Sequence, residues 1–149
     1  MIAAMSTAAF RRALLIAAAL ASSPAGARTC SPKPLPPANA AIHGVWRNPY
    51  NSVDVRIEDC GDQLCGVVVG ATAEALTDAR DSGYPNLIGL QLLRDYRADG
   101  PCHWSGTVLV PDLGHSFSSH LVLIDPGHVR IAGCLWHQFL CKNQIWRRL

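Results

Sequence analysis

The segment Val53-Asp54-Val55-Arg56-Ile57-Glu58 alternates apolar and charged residues. That spacing predicts a β-strand with one face buried and the other in water, because strand side chains point to opposite faces in turn. Other short apolar runs follow at close intervals: Leu64 to Val69, Leu90 to Tyr96, Trp104 to Val110, Phe117 to Ile124, Val129 to Ala132 and Ile145 to Arg148. Ile42 to Arg47 precedes them all. Turn signals separate the runs, among them Ala98-Asp99-Gly100-Pro101, Pro111-Asp112-Leu113-Gly114 and Asp125-Pro126-Gly127. Ala71 to Pro85 breaks the rhythm and predicts a short helix before an irregular stretch. The expected fold is all-β: a small antiparallel up-and-down barrel of about eight strands with one short helix, since closure removes exposed sheet edges. A two-sheet sandwich is the alternative. At eight strands a barrel interior either fills with side chains or holds one small ligand, and the pattern leaves both open.

The start of the chain is of another kind. Arg11-Arg12 precede the apolar run Ala13 to Ala21, and Ala25-Gly26-Ala27 forms a small-x-small cleavage site. This order predicts an export signal over residues 1–27. The apolar run is too short to cross a bilayer, which takes ~20 residues, so no integral membrane span is expected after cleavage. Residues 28–41, with Ser31-Pro32-Lys33-Pro34-Leu35-Pro36-Pro37, read as a proline-stiffened lead-in. Residues 42–149 then form a single domain. The chain carries 13 Lys and Arg against 11 Asp and Glu. Without Arg11 and Arg12 the charges of the mature chain cancel. That excludes nucleic acid as a partner class, because such binding rests on clustered basic side chains, and it excludes tight adhesion to an anionic bilayer. The expected location is the periplasm or the exterior of the cell.

All six cysteines lie beyond the cleavage site. In an oxidising compartment an even count reads as a disulfide framework. Cys60 and Cys65 flank Gly61-Asp62-Gln63-Leu64 between two strand-like runs; opposed residues of a hairpin lie ~4.5–5.5 Å apart, which a disulfide spans. Cys134 and Cys141 flank a further segment in the same manner. Cys30 and Cys102 remain as a third pair by count alone. A redox centre would want Cys-x-x-Cys and a zinc site closely spaced Cys or His pairs. Neither occurs among these cysteines and the scattered His43, His103, His115, His120, His128 and His137, so no metal or other cofactor is expected.

No catalytic constellation emerges. Ser116, Ser118, Ser119 and His120 crowd one strand with Asp125 nearby, but Ser119 and His120 face opposite ways, and Ser118 stands ~6.5–7 Å from His120 along the strand. A polar outer face is the simpler reading. No nucleophile elbow, phosphate loop or dinucleotide fingerprint is present.

Gly44-Val45-Trp46 near the start and Trp146-Arg147-Arg148 at the end resemble the lipocalin-type closure. The resemblance implies that Trp46 plugs the barrel base and that Arg148 lies across it; strand periodicity puts Gly44 on one face with Trp46, and Trp146 on one face with Arg148. A wider resemblance follows in order along the chain: Gly44-Val45-Trp46, Val55-Arg56-Ile57-Glu58-Asp59-Cys60-Gly61-Asp62-Gln63-Leu64-Cys65-Gly66, Leu87-Ile88-Gly89-Leu90, Trp104-Ser105-Gly106, Pro111-Asp112-Leu113-Gly114, Val129-Arg130-Ile131-Ala132-Gly133-Cys134 and Gln144-Ile145-Trp146-Arg147-Arg148. In these pieces the chain is similar to a bacterial envelope family, domain of unknown function 2147. That resemblance implies an exported, barrel-like domain with no assigned activity. Val110 and Phe117 stand where tyrosines are usual, and His115 where a lysine is. The expected function is a non-enzymatic binding module for a small apolar molecule or lipid fragment. The alternative is a structural or protein-interaction module with a filled barrel, its protein partner unspecified.

Overall fold

The structure, a computed structural model, describes residues 39–135 and 140–149. Eight strands run up and down in chain order: β1 (Gly44–Arg47), β2 (Val53–Cys60), β3 (Gln63–Ala71), β4 (Gln91–Gly100), β5 (His103–Val110), β6 (His115–Asp125), β7 (His128–Leu135) and β8 (Leu140–Arg148). Each pairs with its sequence neighbour, and β1 pairs with β8 through Trp46 opposite Arg148, so the sheet is a closed antiparallel barrel. The expected barrel is therefore the observed one, and the sandwich is not. Several strands run longer than the apolar runs suggested, because polar residues continue the ladders past the buried stretch, as at Arg97 to Gly100 in β4.

One helix, α1 (Ala73–Asp81), fills the β3–β4 connection within the expected segment. Thr72 caps its N-terminus, its hydroxyl accepting from the Ala75 amide at 3.3 Å, which satisfies one of the amides a helix start leaves unpaired. Ala79 is buried and Leu76 packs against the core, while Glu74 and Arg80 stay in water.

The topology separates two ends. The base gathers residues 39–43, the β2–β3, β4–β5 and β6–β7 turns, and the end of β8. The mouth gathers the β1–β2 turn, α1 with residues 82–90, the Pro111–Leu113 turn, the end of β7 and the start of β8. Inside, Trp46, Ile57, Leu64, Tyr96, Trp104, Leu121 and Val129 are sealed from solvent. Leu93 and Tyr96 are three residues apart and yet both buried, because a bulge lies between Arg94 and Arg97, with Asp95 at φ +58°. Gly106 lies opposite this bulge, and a Cβ there would stand 2.7 Å from the Tyr96 ring and from the Arg94 carbonyl. The glycine makes room for the phenol to lie across β5.

Candidate functional site

The base is shut by polar groups whose partners are all supplied from within. Trp46 is fully buried and its indole N–H donates to the Ile42 carbonyl at 2.9 Å. The Arg148 guanidinium lies 4.1 Å from the centre of the Trp46 ring, a cation–π arrangement. Its nitrogens donate to the carbonyls of Ala41, His43 and Pro126. Burial pulls the Arg148 pKa below its ordinary value, and three carbonyl acceptors with an aromatic face replace the lost water. Gly44 is at φ +140°, and a Cβ there would stand 2.5 Å from an Arg148 nitrogen, so both the backbone and the guanidinium require glycine. Trp146 sits one layer further toward the mouth. Its N–H donates to the Gln144 side-chain oxygen at 2.8 Å.

Asn39 adds a stitch that sequence reading missed. Its oxygen accepts from the Trp104 indole at 2.8 Å and its nitrogen donates to Asp59 at 2.9 Å. The Asn39 bond, with His43 behind it, holds the Asp59 carboxyl below the usual range. Nothing in the local pattern marks Asn39, because its partners lie on β5 and at the end of β2.

Cys60 is bonded to Cys65, and Cys134 to Cys141. The first pair is not directly opposed as the hairpin geometry suggested. Gly61-Asp62 make a two-residue turn, Cys60 faces Gln63, and Cys65 faces Glu58, so the bridge runs diagonally between Cα atoms 5.8 Å apart. Cys134 and Cys141 do face each other in the β7–β8 ladder. Cys102 is disulfide-bonded as well; Cys30, its partner by count, lies outside the described residues.

The mouth half of the barrel holds a cavity of about 460 Å³. Small-molecule sites run from ~300 to 1,000 Å³. Its walls are mainly apolar: Val53, Leu93, Val108, Phe117, Ile131 and Trp146. Val110 and Phe117, the two positions without the tyrosines of the resemblance, both line it, so neither brings a phenol into the wall. Four polar side chains join the lining: Asn48, Asp112, Lys142 and Gln144. Asn48 is committed to its own turn, accepting from the Ser52 and Val53 amides and donating to the Ser52 hydroxyl.

Below the cavity lie two hydroxyls, Tyr96 and Ser119, each about 1% exposed and without a hydrogen-bond partner. Burial pushes the Tyr96 phenol far above its ordinary pKa; the nearby Ser119 hydroxyl opposes this only in part.

The serine-rich strand divides as expected. Ser119 points into the barrel, whereas Ser116, Ser118 and His120 are exposed on the outer face. His120 Nδ1 lies 3.0 Å from the Ser105 hydroxyl, which in turn donates to Asp99. Serine stands between acid and imidazole, so the acid does not orient the base as nucleophilic catalysis requires. Asp125 is engaged elsewhere, at 2.9 Å from His128. Among the described residues, no group of three or more His, Cys, Asp or Glu is placed to hold a metal, and no helix is long and apolar enough to cross a membrane.

Comparison with known proteins agrees with this architecture. No curated protein matches the chain by sequence. Among solved structures it is similar to protein HP1028 from Helicobacter pylori, described as belonging to the lipocalin family. That match has a TM-score of 0.56 at 12% identity and covers 72% of this chain and 82% of that one. At such identity the likeness is one of fold. Residues 44–148 match a family model described as "Uncharacterized protein conserved in bacteria (DUF2147)". With most of its length inside that match, the chain belongs to the DUF2147 family of bacterial proteins.

Proposed function

We propose that this protein is an exported binding module that holds a small, largely apolar molecule in the barrel mouth and performs no chemistry on it. The cavity of about 460 Å³ carries the reading. The base half of the barrel is packed with Trp46, Trp104 and Leu121, and the mouth half is open and apolar-walled, which argues against a fully filled structural barrel. The paired cysteines favour an oxidising compartment outside the bacterial cytoplasm, in keeping with the charged-apolar-small order of residues 1–27. The domain proper, on this reading, is residues 42–149, with α1 as part of its rim.

Native mass spectrometry of protein purified from its own cell envelope tests this directly. A bound small molecule, lost on denaturation, is the expected result. A mass equal to the oxidised mature chain alone, together with failure to bind any apolar dye, would remove the binding reading.

A further inference from the structure

We propose that Lys142 and Gln144 form an anion-selecting rim, so that the cavity takes an amphiphile with an acidic head and an apolar chain. This rests on the cavity being a ligand site and goes further by naming the class of ligand. The two residues are alternate positions of β8, on the face that also carries Trp146, and all three line the cavity. Lys142 is opposite Gly133 in the ladder, so its partner position on β7 carries no side chain.

The hydrogen-bond chemistry of the pair is one-sided. An indole N–H can only donate, so the Trp146 bond at 2.8 Å fixes the Gln144 oxygen as its acceptor and leaves the amide NH₂ free to donate. The Lys142 ammonium has three donors and no acceptor. Among the described residues it makes no ion pair, unlike Arg47, Arg56 and Arg97, each matched with a carboxylate. Lys142 is also the sole lysine of the described residues. Two donor groups therefore stand along one strand at the edge of an apolar cavity, and the group that completes them is an oxygen-rich anion. Asp112 is the one acidic side chain in the lining; it lies on the Pro111–Leu113 turn between β5 and β6 and forms no ion pair with Lys142.

The rim is also held in place. Lys142 directly follows Cys141, whose disulfide to Cys134 closes the hairpin, so the backbone under the ammonium is anchored before any ligand arrives. Such anchoring lowers the ordering cost of binding. Carboxylate and phosphate heads share this chemistry, and a fatty acid or a phosphorylated lipid fragment would each satisfy it.

The test uses three twelve-carbon probes that share a chain and differ in the head: dodecanoate, dodecanol and dodecyltrimethylammonium. Each is titrated below its aggregation concentration against the purified protein with its disulfides intact, at about pH 8, where a carboxylic acid is ionised. Intrinsic tryptophan fluorescence reads binding, with Trp146 in the cavity wall contributing beside the chain's other three tryptophans. Dodecanoate is expected to bind about tenfold tighter than dodecanol, the gain of a charge-assisted bond, with the cation weakest. Lys142→Met should bring dodecanoate to within about twofold of dodecanol, with the melting temperature unchanged. If no probe binds, the cavity reading itself fails and this proposal with it. If dodecanol binds as tightly as dodecanoate, or the selectivity survives Lys142→Met, the anion rim is overturned and the cavity reading stands. Dodecyl phosphate as a fourth probe separates the two head groups: tighter binding than dodecanoate points to a phosphorylated lipid fragment, weaker binding to a fatty acid.

Discussion

The two ends of the barrel use the same residue types to opposite effect. At the base a tryptophan and an arginine are locked together: Trp46 and Arg148 have their donors taken by backbone carbonyls, and Gly44 leaves only the space the guanidinium needs. At the mouth Trp146 lies against the cavity, its donor taken by Gln144, and Lys142 has no anionic partner among the described residues. A satisfied polar cluster rigidifies, whereas a set of unused donors beside apolar walls is a place for something else to bind. The contrast indicates that stability is concentrated at the base, which leaves the mouth free to be incompletely packed.

The sharpest way to break this contrast is at Trp46. Trp46→Ala should cost about 3–5 kcal/mol in urea unfolding, the usual range for removing a large buried aromatic. A cost below about 1 kcal/mol would mean that the base plug is incidental. Gly44→Ala forces a Cβ onto Arg148 at an unfavourable φ, and about 1–3 kcal/mol of destabilisation is expected, readable in the same assay. At the mouth, Phe117 is only half-buried against the cavity, so Phe117→Ala should cost about 1 kcal/mol, well under the base substitutions. If it costs as much as Trp46→Ala, the mouth is a packed core and not a site.

Acid offers a gentler probe. The carboxyls of Asp59, Asp62 and Asp125, all at the base, and of Asp54 beside Arg47 are held below the usual carboxylate range, by Asn39, Arg97, the Gly127 amide and Arg47 respectively. Each favours its ionised form in the folded state. Their contribution is therefore complete above the ordinary carboxylate value of ~3.9 and is lost as pH falls through their lower folded values. Unfolding midpoints should stay flat from neutrality down to about pH 4 and decline below it, by a modest amount because these groups are solvent-screened. A decline beginning near pH 6 would point to histidine instead. The smallest effect is expected at the orphan hydroxyls: Ser119→Ala removes an unsatisfied buried group and should leave stability within about 0.5 kcal/mol or raise it. A loss above about 2 kcal/mol would show that the Ser119 hydroxyl is hydrogen-bonded in the folded protein, with Tyr96 the nearby partner.

Much of the fold was legible because it is written in local periodicity. Val53 to Glu58 alternates as a half-buried strand must, Pro111 to Gly114 and Asp125 to Gly127 turn where they were expected, and the helix lies within Ala71 to Pro85. The site was less legible. Lys142 carries no signal in the chain and Gln144 enters only as the first residue of the Gln144 to Arg148 resemblance, since a Lys-x-Gln pair signifies nothing until both are seen to share a face with Trp146. Asn39 was placed in the lead-in, and its role depends on Trp104 and Asp59, far along the chain. The inward turn of Tyr96 depends on a bulge, and a bulge shifts the face assignment of every later residue in its strand.

By itself the sequence determined the element types, the turns and the cysteines available for bridging, because each depends on residues within a few positions of one another. Only the tertiary structure decided that β1 meets β8, that the base is sealed while the mouth stays hollow, and which polar groups are left without partners. Those outcomes depend on strand register and bulges summed around the whole closed sheet, where a shift of one residue exchanges inside for outside.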